Sequence, residues 1–289
     1  MRKKYWPILD IPEGVQGDYI IKHLHFKAGH KFETVTARSK LLGGQNGETV
    51  RFPHSVRFHE LRQEDQGVWM TDVPVEQAQC NTAVDNYTGN VLVGGLGLGF
   101  AAARIAANPA VDSVTVVEVA EEVIALTAPH LPHADKITVV KADLFEYLNA
   151  LTVPKTFDHA FYDIWQSDSE NTFFHVVVPL LNRSQCVLHK PDCWNEDVMR
   201  GQLYFGLASN LQLLAMSQEA REQMRFELPP LEELATMKDD IWWDWKVPFY
   251  QWYQQVQGFA TKTTVDDALT LYIQLYGRPQ FDQYWPPTV

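Results

Sequence analysis

The residues of this chain best suited to chemistry lie between Val91 and Trp165. They begin with Val91-Leu-Val-Gly-Gly-Leu-Gly-Leu-Gly99, an apolar run that breaks into glycines and leads into the Ala-rich segment Phe100–Asn108. Glycine lets the backbone turn tightly and approach a ligand with no β-carbon between them. The first amides of the following helix would face whatever sits beyond the strand's carboxyl end. A glycine turn alone serves equally well as a tight strand–helix connection. A strand before it and a helix after it favour a ligand site, with Gly95, Gly97 and Gly99 as candidates.

Three acidic residues follow at regular intervals. Glu118 ends the apolar run Ser113–Val117, 19 residues after Gly99. A carboxylate there can accept hydrogen bonds from both ribose hydroxyls of an adenosine, or more plainly can favour the start of the next helix. Asp143 comes 25 residues later, after Ile137–Val140. It can accept from an adenine amino group, with Leu144 or Phe145 against the base, and can also cap the helix opening at Leu144. Asp163 ends the run Phe157-Asp-His-Ala-Phe-Tyr-Asp163, beside Trp165. Reacting groups of open α/β sheets gather at this edge. Asp163 is therefore the candidate catalytic residue, orienting an acceptor or taking its proton if burial raises its pKa. Trp165 is the candidate substrate wall; the plain alternative is that Asp163 and Asp168 cap a helix.

Other constellations are weaker. His23, His25 and His30 lack the Cys or acidic partner that would complete a metal set, so no metal is expected. No serine nucleophile elbow, phosphate-binding loop or zinc motif is present in the sequence. Cys80, Cys186 and Cys193 form no CxxC pair, which suits a reducing, cytoplasmic setting, and Cys186 reads as a buried, inert thiol.

The elements that must position these groups divide the chain into three parts. Residues 1–72 read as β-rich, with alternation over Tyr19–Phe26 and short strands near Val50–Phe52 and Val56–Leu61, and Val68–Met70 closes this part. Asp72 as N-cap and Pro74 in the first turn open a helix running to about Tyr87. Residues 73–193 alternate strands and helices, with a fifth strand expected at Ser184–Leu188, the pattern of a parallel sheet covered on both faces. Residues 194–289 read as helical and aromatic-rich, notably Ile241–Tyr253, which suits a packed core, a lid or a homo-oligomer surface.

A net charge of −12 without any basic block disfavours non-specific nucleic-acid binding and favours a small-molecule acceptor. No apolar run reaches the ~20 residues needed to cross a bilayer, so no membrane partner is expected. The basic N-terminus lacks an apolar secretory core.

The series Val-Leu-Val-Gly-Gly-Leu-Gly-Leu-Gly99, Val-Thr-Val-Val-Glu118, Lys-Ala-Asp143 and Phe-Asp-His-Ala-Phe-Tyr-Asp163 resembles the motifs of class I S-adenosylmethionine-dependent methyltransferases. Within that superfamily it looks most like the spermidine synthase-like branch, which also places a β-rich domain ahead of its core. The resemblance implies a Rossmann-like α/β fold with S-adenosylmethionine as cofactor. Gly95, Gly97 and Gly99 would line the methionine moiety, Glu118 would hold the ribose, and Asp143 with Leu144 the adenine. Asp163 matches the aspartate that in aminopropyltransferases binds and deprotonates an amine. The following Ile-Trp-Gln-Ser-Asp-Ser-Glu differs from the second Asp, then Pro and Gly, of those enzymes. Methyl transfer to an unidentified acceptor is the leading expectation. The alternatives are aminopropyl transfer from decarboxylated S-adenosylmethionine and a non-catalytic nucleoside-binding module. A nicotinamide-binding oxidoreductase is a further reading, since Gly97-Leu-Gly-Phe-Ala-Ala102 also fits GxGxxA, with Glu118 about 20 residues on.

Overall fold

The computed structural model describes residues 9–35, 47–151, 153, 156–168, 172, 176–196 and 198–199. The expected helical and aromatic part beyond residue 199, Ile241–Tyr253 included, lies outside the described residues. Up to Ser167, and again from Leu180 to Glu196, the described residues belong to one compact unit.

The β-rich part builds strands β1 (Gly14–Gln16), β2 (Tyr19–Phe26), β3 (Lys31–Glu33), β4 (Thr49–Arg51), β5 (Val56–Gln63) and β6 (Gly67–Thr71). β1, β2, β5 and β6 form an antiparallel sheet in that order, and β3 pairs with β4. Alternation buries both faces of this sheet: Ile21 and Leu61 enter the large core on one side, and Phe58 enters a second, aromatic cluster on the other. Phe58 packs edge-on against Phe26, Phe32 and Phe52, which ties the small hairpin to the sheet.

Helix α1 (Pro74–Val84) then leads to β7 (Gly89–Gly94), α2 (Phe100–Ala106), β8 (Val111–Glu118), α3 (Glu121–Thr127), β9 (Ile137–Lys141), α4 (Leu144–Ala150), β10 (His159–Tyr162), α5 (Val178–Arg183) and β11 (Asp192–Cys193). The parallel sheet has the order β11-β10-β7-β8-β9. β7 is central, and the chain reverses its direction of winding between β7 and β10. This is the α/β, Rossmann-like arrangement that the alternation of strands and helices predicts. Val91, Leu92, Val93, Val114 and Val116 are buried as a sheet covered on both faces requires. Ile11, Ile21 and Leu61 of the β-rich part join the same apolar core. Among the described residues, no helix is long and apolar enough to cross a membrane.

Two local expectations change. Asp72 does not cap α1: the N-cap residue is Val73, with Pro74 opening the helix. The Asp72 carboxylate turns instead to His59, accepting from its backbone N–H at 2.6 Å and pairing with its Nδ1 at 2.7 Å, both fully inside the protein. Burial decides this, because the His59 donors have no water to turn to. Nor is Ser184–Leu188 the fifth strand. Ser184 Oγ donates to the Leu180 carbonyl, and Ser184–Cys186 continues α5 as a 3₁₀ turn, leaving a single bridge between Val187 and Phe157. The sheet is completed later, at β11, where Tyr87 Oη reaches both the Ala160 carbonyl and Asp192.

Candidate functional site

β7 ends at Gly94, and the turn that follows crosses the carboxyl end of the sheet at the reversal point between β7 and β10. Gly95 and Gly97 have φ of 91° and 49°, in the left-handed region. A β-carbon on Gly95 would stand 2.1 Å from the Asp163 carbonyl oxygen, and one on Gly97 would stand 2.1 Å from Met70 Sδ. Close approach of backbone to backbone thus requires glycine at position 95, whereas at position 97 the positive φ is the main demand, since the Met70 side chain can move. Gly99 is placed differently from its expected role. It is the N-cap residue of α2, its α-carbon faces Leu131, Thr127 and Leu9, and it does not line the cavity beside the turn.

A cavity of about 240 Å³ opens beside this turn. Gly95, Leu96 and Gly97 form its floor, with Glu118 from the end of β8, Asp143 and Leu144 from the start of α4, and Asp163 and Trp165 beyond β10. Every candidate site residue read from the sequence except Gly99 therefore meets in one place. Tyr19, Trp69 and Met70, from β2 and β6, complete the wall and were not singled out by sequence. Their contact with the glycine turn spans many residues of chain and leaves no local spacing signal. The only hint is an aromatic and a methionine ending a strand directly ahead of the core.

Glu118 is half-buried and already bonded on both oxygens. Oε2 accepts from Leu96 N at 2.8 Å and Oε1 from Ala120 N at 2.8 Å. Each oxygen has a further lone pair for a ligand hydroxyl. Asp143 caps α4, accepting from Glu146 N at 3.0 Å, while lining the cavity; the two roles coexist. Burial raises the Tyr19 hydroxyl's pKa, with Glu118 and Glu122 adding to the effect.

Asp163 is the most perturbed carboxyl of the site. Burial, then the negative charges of Glu76 and Glu118, push its pKa up to about 8. The Cys80 thiol is also pushed far up, by burial first and then by Asp163. A smaller cavity of about 20 Å³ adjoins Asp163 and is lined by Asp72, Glu76, Gln77, Cys80 and Trp194. Such a space suits about one water-sized group. Two buried polar atoms beside the cavities, Trp165 Nε1 and Gln77 Oε1, have no hydrogen-bond partner among the described residues. Unpaired buried polar atoms cost free energy.

The His residues considered for metal binding have other neighbours. His23 Nε2 lies 2.8 Å from the Ile11 carbonyl, and His30 packs against Phe26 and Phe32.

No protein-family model and no curated protein matches the chain. Partial structural likenesses exist. One is to a putative O-methyltransferase from Klebsiella pneumoniae, at 19% identity and a TM-score of 0.27, covering 32% of this chain and 43% of that one. Another is to an S-adenosylmethionine-dependent methyltransferase from Mesorhizobium loti, at 21% identity and a TM-score of 0.28, covering 39% and 48%. A third is to TrmN from Thermus thermophilus, at 16% identity and a TM-score of 0.32, covering 44% and 40%. This chain therefore spans less than half the length of each of these three. Likenesses of this extent carry no argument about activity.

Proposed function

We propose that this chain is a transferase that uses S-adenosylmethionine as methyl donor toward a small-molecule acceptor. One observation carries the reading: Glu118, Asp143, Leu144 and Asp163 surround a single cavity over the Gly95–Gly97 turn, at the sheet's reversal point. Those positions suit, in turn, a ribose, an adenine and a reacting end. The unpaired Trp165 Nε1 and the residual acceptor capacity of Glu118 and Asp143 fit an adenosine-bearing ligand with polar groups on both sides.

When bound, the sulfonium supplies an already activated methyl group, so the protein's work is mainly positioning and exclusion of water. Glu118 would fix the ribose while holding Leu96, which couples ligand binding to the shape of the turn. Leu144, buried at the cavity wall, offers an apolar face to the base. Asp163, with its raised pKa, can hold a proton near neutral pH and take one from an acceptor as pH rises.

Calorimetry with S-adenosylhomocysteine tests this reading, together with mass spectrometry of any nucleoside that copurifies. Saturable one-to-one binding supports it. Absence of binding at millimolar ligand sinks it.

A second reading, aminopropyl transfer in a spermidine synthase-like manner, has one observation in its favour. The described residues lining the cavity include Glu118, Asp143 and Asp163 but no Lys, Arg or His, which favours a donor richer in positive charge and free of a carboxylate. The released product separates the two readings: S-adenosylhomocysteine for methyl transfer, methylthioadenosine for aminopropyl transfer.

A further inference from the structure

Two amides of the glycine turn are held by side chains of unequal strength. Leu96 N donates to the Glu118 carboxylate at 2.8 Å, whereas Leu98 N donates to Met70 Sδ at 3.3 Å. A carboxylate is a strong acceptor for an amide, while a thioether is a weak one on a flexible stem. Met70 reaches the turn from β6, borders both cavities and fills the space beside Gly97.

We infer that Met70 is a specificity-determining residue whose thioether competes with the α-carboxylate of an adenosyl ligand for the Leu98 amide. The inference rests on the adenosyl-donor reading above. With the ribose at Glu118 and the base at Asp143 and Leu144, the 5′ substituent runs along the turn past Leu96 and meets Met70, whose side chain stands between the cavity and the Leu98 amide. A carboxylate arriving there finds the Leu96 amide committed to Glu118 and the Leu98 amide covered by Met70. It also meets the negative charges of Glu118 and Asp143, with no cation among the described lining residues. Displacing the thioether is the remaining way to satisfy it. S-adenosylmethionine and S-adenosylhomocysteine carry the same carboxylate, so Met70 acts on donor affinity and product release alike. A nucleoside ending in a plain methylthio group makes no demand on the Leu98 amide and is indifferent to the competition.

The test is calorimetry on the full chain with S-adenosylhomocysteine and with 5′-methylthioadenosine, for the wild type, Met70→Ala and Met70→Leu. The readout is the ratio of the two dissociation constants. Removing a weak acceptor that masks an amide should tighten S-adenosylhomocysteine about tenfold in Met70→Ala, with methylthioadenosine changed less than about twofold. Met70→Leu keeps most of the bulk but loses the acceptor, so it should move the ratio in the same direction by about threefold or more. Should Met70→Ala fail to fold, as judged by circular dichroism, Met70→Leu decides alone. An unchanged ratio, or one shifted toward methylthioadenosine, overturns the role of Met70 and leaves the adenosyl-donor reading standing. If neither nucleoside binds any of the three proteins, the adenosyl-donor reading fails and this inference fails with it.

Discussion

The carbonyl of Asp163 stands where the side chain of any residue other than glycine at position 95 would begin: 2.1 Å from the β-carbon that Gly95 lacks. The chain just beyond β10 and the glycine turn are therefore packed backbone against backbone. At Gly97 the obstacle is the end of a flexible methionine instead. Gly95→Ala should lower stability by about 3 kcal/mol or more, since neither backbone can yield without strain. Gly97→Ala should cost about 1–2 kcal/mol, chiefly for its positive φ, because Met70 can swing aside. Urea denaturation of both variants checks the order; equal losses would mean that the contact with Asp163 is not the governing constraint.

Glu118 lines the cavity and also holds the turn, through its bonds to Leu96 N and Ala120 N. Glu118→Ala should weaken S-adenosylhomocysteine by about 1–3 kcal/mol, the scale of losing charge-assisted hydrogen bonds. Glu118→Gln keeps an acceptor for one amide and should fall between wild type and Ala. Calorimetric affinities within twofold of wild type for both variants would remove Glu118 from the ligand site.

Asp163 should make stability, and any turnover that uses its carboxylate, depend on pH in opposite senses. Its folded pKa, about 8, lies above the unfolded carboxylate value. Between about pH 4 and pH 8 the folded chain keeps a proton that the unfolded chain has lost, so stability falls as pH rises through that window. Asp163→Asn should flatten this slope and raise stability at pH 9 by on the order of 2 kcal/mol, since contact with the cavity screens part of the burial penalty. Turnover that needs the carboxylate should rise toward pH 8 in the wild type and lose that limb in the variant. Glu76→Gln removes a neighbouring negative charge and should move the limb to lower pH. Denaturation at pH 5 and pH 9, alongside a pH–rate profile, measures both effects; a wild-type stability flat across the window would refute the buried-carboxyl account.

Asp72 and His59 are 3% and 0% exposed, and Asp72 serves both the backbone and ring nitrogens of His59. Asp72→Ala leaves those buried groups without their acceptor and should destabilise the fold by about 2–4 kcal/mol. It should leave the isolated capping of α1 untouched, because Val73 and Pro74, not Asp72, form that start. A loss below about 0.5 kcal/mol, the size expected for an exposed polar change, would show that water replaces the lost bonds.

The strand–helix alternation, the glycine turn after β7 and the acidic residues ending β8, preceding α4 and following β10 are all legible along the chain. Each is a local pattern: apolar runs of strand length, a residue free of a β-carbon at a sharp turn, a carboxylate able to cap a helix at a strand's exit. Their meeting in one cavity follows from parallel strands, whose carboxyl ends all lie on one edge. Three features depend instead on long-range packing. That packing turned Asp72 from a helix cap into the partner of His59, because a buried donor outweighs a cap amide that water can reach. It moved the fifth strand from Ser184–Leu188 to Asp192–Cys193, because the Ser184 hydroxyl had a helical carbonyl within reach while Asp192 had Tyr87. And it brought Tyr19, Trp69 and Met70 across from a separate sheet to wall the site, turning Gly99 away from it. Such contacts join distant segments, and no spacing along the chain encodes which distant side chain will arrive.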